Sequence, residues 1–147
     1  MEKPKLIGIN HVALEVGDVE KALEFYASLF TFKLRGKDHN HAFIDLGDQF
    51  IAIMKTDIAH KDKIRHFGLV VDDRAKIKEL LQTMQVELIK DKFCDFLDPW
   101  GNYIQVVEYA DVQFTKAPEI LAGMDIKAHK SAAALQELQA KGMGPKL

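Results

Sequence analysis

Apolar and other residues alternate from Leu6 to Val16, which puts Val12, Leu14 and Val16 on one face of an extended segment and His11, Ala13 and Glu15 on the other. That alternation predicts a half-buried β-strand. The period changes at Asp18. Ala22, Leu23, Phe25, Tyr26, Leu29 and Phe30 follow at helical spacing, so Asp18 stands where an N-cap belongs. Three short strands are predicted next, over residues 32–36, 42–45 and 49–55, the last two joined as a hairpin across Leu46, Gly47 and Asp48. The segment from about 6 to 56 thus reads as one βαβββ unit.

The chain then repeats itself. At a constant offset of 55, His11 falls on His66, Leu14 on Leu69, Val16 on Val71, Asp18 on Asp73, Lys21 on Lys76 and Glu24 on Glu79. A second match, 43–53 on 96–106 at an offset of 53, places Ala52 opposite Gln105. Self-similarity at a fixed period marks structural units that cannot bury their apolar faces alone. The second copy, about 63–109, predicts a strand over 64–71, a helix from about 74 to 84 capped by Asp73, and strands near 86–92, 93–97 and 103–109. Asp98-Pro99-Trp100-Gly101-Asn102 supplies the turn between the last two. In each copy the apolar face of the first strand, Val12/Leu14/Val16 or Phe67/Leu69/Val71, is expected to pack on that copy's helix. The histidine face must then look elsewhere, into a concavity lined by both halves.

Residues 110–147 have no counterpart in the repeat. Thr115 is a candidate cap for a short helix that carries Pro118 in its first turn, and 131–141 is rich in helix formers and ends at Gly142. Leu135 and Leu138 give that helix a narrow apolar stripe, which fits a surface-docked tail, a dimer arm or a cover over the concavity.

With 147 residues, 48% of them hydrophobic, the chain can bury a sizeable core, and one domain over 1–109 with a helical extension over 110–147 is expected. A formal net charge of -2 with acids and bases interspersed speaks against nucleic acid or an anionic membrane as partner. No run is apolar enough to span a bilayer, no segment reads as a secretory signal, and the single Cys94 excludes an internal disulfide. Together these predict a cytoplasmic protein.

Paired βαβββ units, the run Ile9-Asn10-His11-Val12-Ala13-Leu14 with Asp18 before the helix, and Asp98-Pro99-x-Gly101-Asn102 before the final strand resemble the vicinal oxygen chelate superfamily of glyoxalases, bleomycin-resistance proteins and extradiol dioxygenases. The resemblance covers roughly 6–109. It implies an α+β fold in which two modules form a cup-shaped mixed sheet, with metal ligands on the first and last strand of each module. Carried over position by position, these are His11, Ala52, His66 and Gln105. Metal-dependent members usually have Glu at the position of Gln105, and glyoxalases also at that of Ala52, so both carboxylates are missing. The fosfomycin-type transferases resemble one another in having Thr where Ala13 stands, which speaks against that branch.

Two imidazoles and a carboxylate form the facial set that holds a divalent ion such as Fe, Mn, Ni or Zn while leaving positions open for substrate oxygens. With Gln105 as third donor the site loses its anion. Glu108 is the nearest substitute, but three residues along a regular strand it faces the other way unless a bulge intervenes. Phe43, Phe50, Met54, Phe96, Tyr103 and Val107 are the candidate lining of an apolar cup for a small organic ligand. His39-Asn40-His41 reads as a polar turn, Cys94 as a small buried thiol and Trp100 as packing for its turn. The expected function is a glyoxalase- or bleomycin-resistance-like protein that binds a small organic molecule over a degenerate metal site and pairs as a homodimer. The alternative is a divalent-metal-dependent lyase, isomerase or dioxygenase acting on adjacent substrate oxygens.

Overall fold

The computed structural model describes residues 3–5, 7, 9–58 and 60–145, and the chain falls into two compact units, Met1–Ile58 and Ala59–Leu147. In the first, β1 (His11–Val16) leads into α1 (Val19–Leu29), followed by β2 (Lys33–Lys37), β3 (His41–Asp45) and β4 (Phe50–Lys55). The sheet order is β1-β4-β3-β2, with β1 parallel to β4 and the other pairs antiparallel. Asp18 caps α1 by accepting from the Lys21 N–H at 2.9 Å, which satisfies one of the helix's orphan donors. Leu14 and Val16 are buried with Ala22, Leu23, Tyr26 and Leu29 of α1, while His11, Ala13 and Glu15 are exposed. The alternation read from the sequence is the one the strand adopts from His11 on, whereas Ile7 and Ile9, expected in the same strand, precede it and are exposed, and Leu6 lies outside the described residues. Gly47, at φ 85°, makes the tight β3–β4 connection, closed by the Leu46 N–H donating to the Gln49 carbonyl.

The second unit repeats the plan in a reduced form: β5 (Phe67–Val71), α2 (Arg74–Thr83), β6 (Phe96–Leu97), β7 (Tyr103–Glu108), α3 (Pro118–Gly123) and α4 (Ala132–Ala140), with sheet order β5-β7-β6. Asp73 caps α2 through the Lys76 N–H. Three expectations are corrected here. The first strand begins at Phe67, and Ile64, Arg65 and His66 precede it. The strand expected near 86–92 is reduced to one bridge, Leu88 to Phe96, flanked by Ile89 N–H to the Asp95 carbonyl and Leu97 N–H to the Glu87 carbonyl. Gln85 and Asp91 at φ 55° and 62° bend the backbone at either end and cut that ladder short. β6 accordingly has two residues.

In the extension Thr115 does not cap α3. Its hydroxyl donates to the Gln113 carbonyl, and Ala117 precedes Pro118 at the first helical position, where a missing N–H costs nothing. Ser131 caps α4, which buries Ala134 and Leu138. The Lys130 ammonium donates to the carbonyls of Tyr109, at 2.6 Å, Val112, at 2.8 Å, and Phe114, and lies 3.6 Å from the centre of the Tyr109 ring. This grip fastens the extension to the end of β7. Among the described residues no helix is long and apolar enough to cross a membrane.

Candidate functional site

Pairing in the first sheet sets three rows across its open face: Asp45–Phe50–His11, Phe43–Ala52–Ala13 and His41–Met54–Glu15. The His11 ring stacks on Phe50, with centroids 4.6 Å apart and planes 12° from parallel, and Phe43 meets Phe50 edge-on at 5.6 Å. Arg35 completes this end. Its guanidinium lies 4.8 Å from the Phe50 centroid, held by the Asp45 carboxylate at 2.6 Å and the carbonyls of Gly47 and Gln49. The middle row carries the Phe43 ring and two methyl groups, that of Ala52 buried and that of Ala13 exposed.

The second sheet reproduces the design. The repeat puts Gly68 at the place of Ala13 and Gln105 at that of Ala52, and Gly68 and Gln105 are indeed register partners, as Ala13 and Ala52 are. His66 packs on Tyr103, with centroids 4.9 Å apart, as His11 packs on Phe50. The Gln105 amide oxygen lies over Gly68, 3.8 Å from where a Cβ would stand. Tyr103 is anchored from behind, its hydroxyl donating to the buried Asp95 carboxylate at 2.8 Å. Burial, and then the bond to Asp95, push the Tyr103 phenol above its ordinary value, so the donor stays protonated.

Both histidines are oriented through Nδ1. That of His66 lies 2.7 Å from the Ile64 carbonyl, and that of His11 2.8 Å from Asn10 Oδ1. The Ile64 carbonyl can only accept, so His66 donates through Nδ1, and in the neutral tautomer Nε2 is then its acceptor; the Asn10 contact fits the same tautomer for His11. That tautomer suits a metal or a substrate hydroxyl. The donor set is otherwise poor in charge: among the described residues no three His, Cys, Asp or Glu side chains group as metal donors. Each imidazole is by itself a possible donor to a divalent ion, and the neutral Gln105 amide does not supply an anion.

Two expected site residues lie elsewhere. Phe96 is fully buried opposite Ile104, on the side of the sheet that carries Val106 and faces α2, so it fills the core. Glu108 is on that same side, its carboxylate accepting from the Arg74 N–H at the start of α2 at 2.6 Å. The β5–β7 register runs unbroken from Phe67/Ile104 to Val71/Glu108, so no bulge turns Glu108 toward Gln105. Phe43, Phe50, Met54, Tyr103 and Val107 alternate onto the open faces. Arg35 and the Ile64 carbonyl escaped sequence reading, since neither period nor repeat marks them, and Asn10 enters it only as part of the family run, not as the partner of His11. Cys94 is fully buried and burial raises its thiol, the opposite of nucleophile activation. In the β2–β3 turn Asp38 accepts from the N–H groups of Asn40 and His41, and the Asn40 bond foremost lowers its carboxyl. A depression of about 510 Å³ beside that turn is lined by Asp18, Glu20, Lys37, Asp38, His39 and Lys55. It lies away from His11, and its opposed charges make no evident ligand site.

Residues 8–106 match the model of the Glyoxalase/Bleomycin resistance protein/Dioxygenase superfamily, and the chain belongs to that vicinal-oxygen-chelate family. Among solved structures, a putative glyoxalase family protein from Bacillus anthracis is 24% identical, with a TM-score of 0.60 over 73% of this chain and 98% of that one. Lactoylglutathione lyase from Agrobacterium tumefaciens is 19% identical, with a TM-score of 0.58 over 71% and 96%. The fosfomycin resistance protein FosX from Listeria monocytogenes is 16% identical, with a TM-score of 0.61 over 79% and 98%. At these identities the likeness is one of fold.

Proposed function

We propose that the chain binds a small, partly aromatic or oxygenated organic molecule on its open sheet faces, over a degenerate metal site. The carrying observation is the twice-built pair of an imidazole packed on an aromatic ring beside a small residue, stacked at His11 and tilted by 35° at His66, with Nδ1 of each ring against an oxygen. Such a face offers stacking area and a directed polar contact without a strong hold on a cation. The Nε2 acceptors also favour a second reading, a divalent-metal-dependent lyase, isomerase or dioxygenase; a FosX variant is known with Mn(II) and a dihydroxypropylphosphonic acid. When bound, an ion would polarise adjacent substrate oxygens, with an imidazole such as His66, beside Gln105 on its own sheet, as a holder. Homodimerisation and a cytoplasmic setting belong to the same proposal.

Gln105→Glu separates the two. The substitution adds an anion beside His66 at unchanged side-chain length, so Mn(II) or Ni(II) affinity by calorimetry should rise about tenfold or more, and the gain should vanish when His66→Ala is added. A parallel His11→Ala tests whether that ring serves the same ion. Stoichiometric tight metal in the wild type, unchanged by Gln105→Glu, would refute the degenerate site and favour the metalloenzyme.

A further inference from the structure

Away from the histidine faces, the second unit carries a basic surface that neither the fold nor the proposed site uses. Phe93 is 45% exposed, although it sits in the turn between the Leu88–Phe96 bridge partners, where a polar residue would cost less. The Arg74 guanidinium lies 4.3 Å and the Lys78 ammonium 4.4 Å from its ring centre. Arg74 and Lys78 are one helical turn apart on α2 and so share a face. Lys90 and Lys92 are exposed in the same turn as Phe93. Among the described residues none of these four cations has a carboxylate within ion-pair reach.

The nearby acids are engaged elsewhere. Glu108 accepts from the Arg74 backbone, Asp95 is buried against Tyr103, Asp73 caps α2, and Glu79 pairs with Lys76. Asp91 in the turn and Asp72, just before α2, are the exposed acids nearest to it in sequence, two against four cations. A chain of formal net charge -2 has thus gathered uncompensated positive charge around one exposed ring.

We propose that this patch docks an acidic peptide segment of a partner protein. An exposed ring beside an arginine fork and flexible lysines offers an apolar anchor among cations, the composition of an interface centre. The guanidinium fork matches the planar carboxylate. Nucleic acid fits less well. It needs a long basic track and free ring faces for its bases, whereas this patch spans one helical turn and one loop and its ring already carries two cations.

The test uses the full chain and a fluorescein-labelled peptide of four glutamates flanking one leucine, titrated by anisotropy at low salt. The expected result is saturable binding that weakens about tenfold or more in Arg74→Gln/Lys78→Gln, weakens in Phe93→Ser, and is unchanged in Lys33→Gln/Lys127→Gln, which removes two cations elsewhere. Circular dichroism confirms that each variant is folded. The same peptide with glutamines in place of glutamates should not bind. The proposal is overturned by absence of saturable binding, by equal loss in the remote double variant, or by tighter binding of single-stranded DNA or heparin than of the peptide.

Discussion

Gly101 closes the turn that carries the family's Asp-Pro-x-Gly-Asn run, and replacing it with alanine should unsettle the second unit through two additive effects. The residue sits at φ +84°, where an L side chain costs about 1–2 kcal/mol. A Cβ there would also stand 2.3 Å from the His60 carbonyl oxygen and 2.8 Å from the Lys61 Cα. Both neighbours are backbone, so relief requires moving the segment itself, a further cost on the order of 1–3 kcal/mol. That segment is tied to the turn by the Asp62 N–H on the Gly101 carbonyl and the Tyr103 N–H on the Asp62 carboxylate. It leads directly to His66. The sum, about 2–5 kcal/mol, is a large part of the roughly 5–15 kcal/mol that holds a domain together. It corresponds to a fall of roughly 1–2.5 M in the urea midpoint or about 4–20 °C in Tm. Trp100, the chain's only tryptophan, sits beside the substitution and reports unfolding of this turn by fluorescence. Gly101→Asn is the control: asparagine tolerates positive φ but brings the same Cβ, so it should recover about 1 kcal/mol at most. Wild-type stability in Gly101→Ala refutes the reasoning, and full recovery in Gly101→Asn refutes the clash as the larger part.

Lys130→Met removes the donor shared by three carbonyls and the cation on Tyr109, and should cost about 2–4 kcal/mol locally. Hydrogen exchange should speed up across 110–145 ahead of β5 and β7, and uniform exchange throughout the unit would contradict the clamp. For Asp38 the folded carboxyl is lowered, chiefly by the Asn40 N–H. Its contribution is therefore present in full above the ordinary carboxylate range and is lost as pH falls through the lowered value. Asp38→Ala should have a lower urea midpoint than wild type at neutral pH, with the gap closing in strong acid; a gap that persists there would assign the effect to something other than the carboxylate.

What the sequence by itself determined was local in period and repeated in order. Alternation at Val12, Leu14 and Val16, the caps at Asp18 and Asp73, the turn around Gly101 and the equivalence of His11 with His66 follow from rules acting over a few residues. A repeat carries such rules from one copy to the next, so the family's fold could be read from one chain. The shrinkage of the second copy was not legible, because it depends on left-handed residues at Gln85 and Asp91 that the repeat does not mark. The tertiary structure alone decided which partner each side chain finds. Glu108 goes to the Arg74 N–H, Phe96 goes opposite Ile104, Arg35 reaches Phe50, and each histidine's Nδ1 meets an oxygen. Strand parity gives the face a residue occupies; only the pairing of strands and helices gives the atom it meets there.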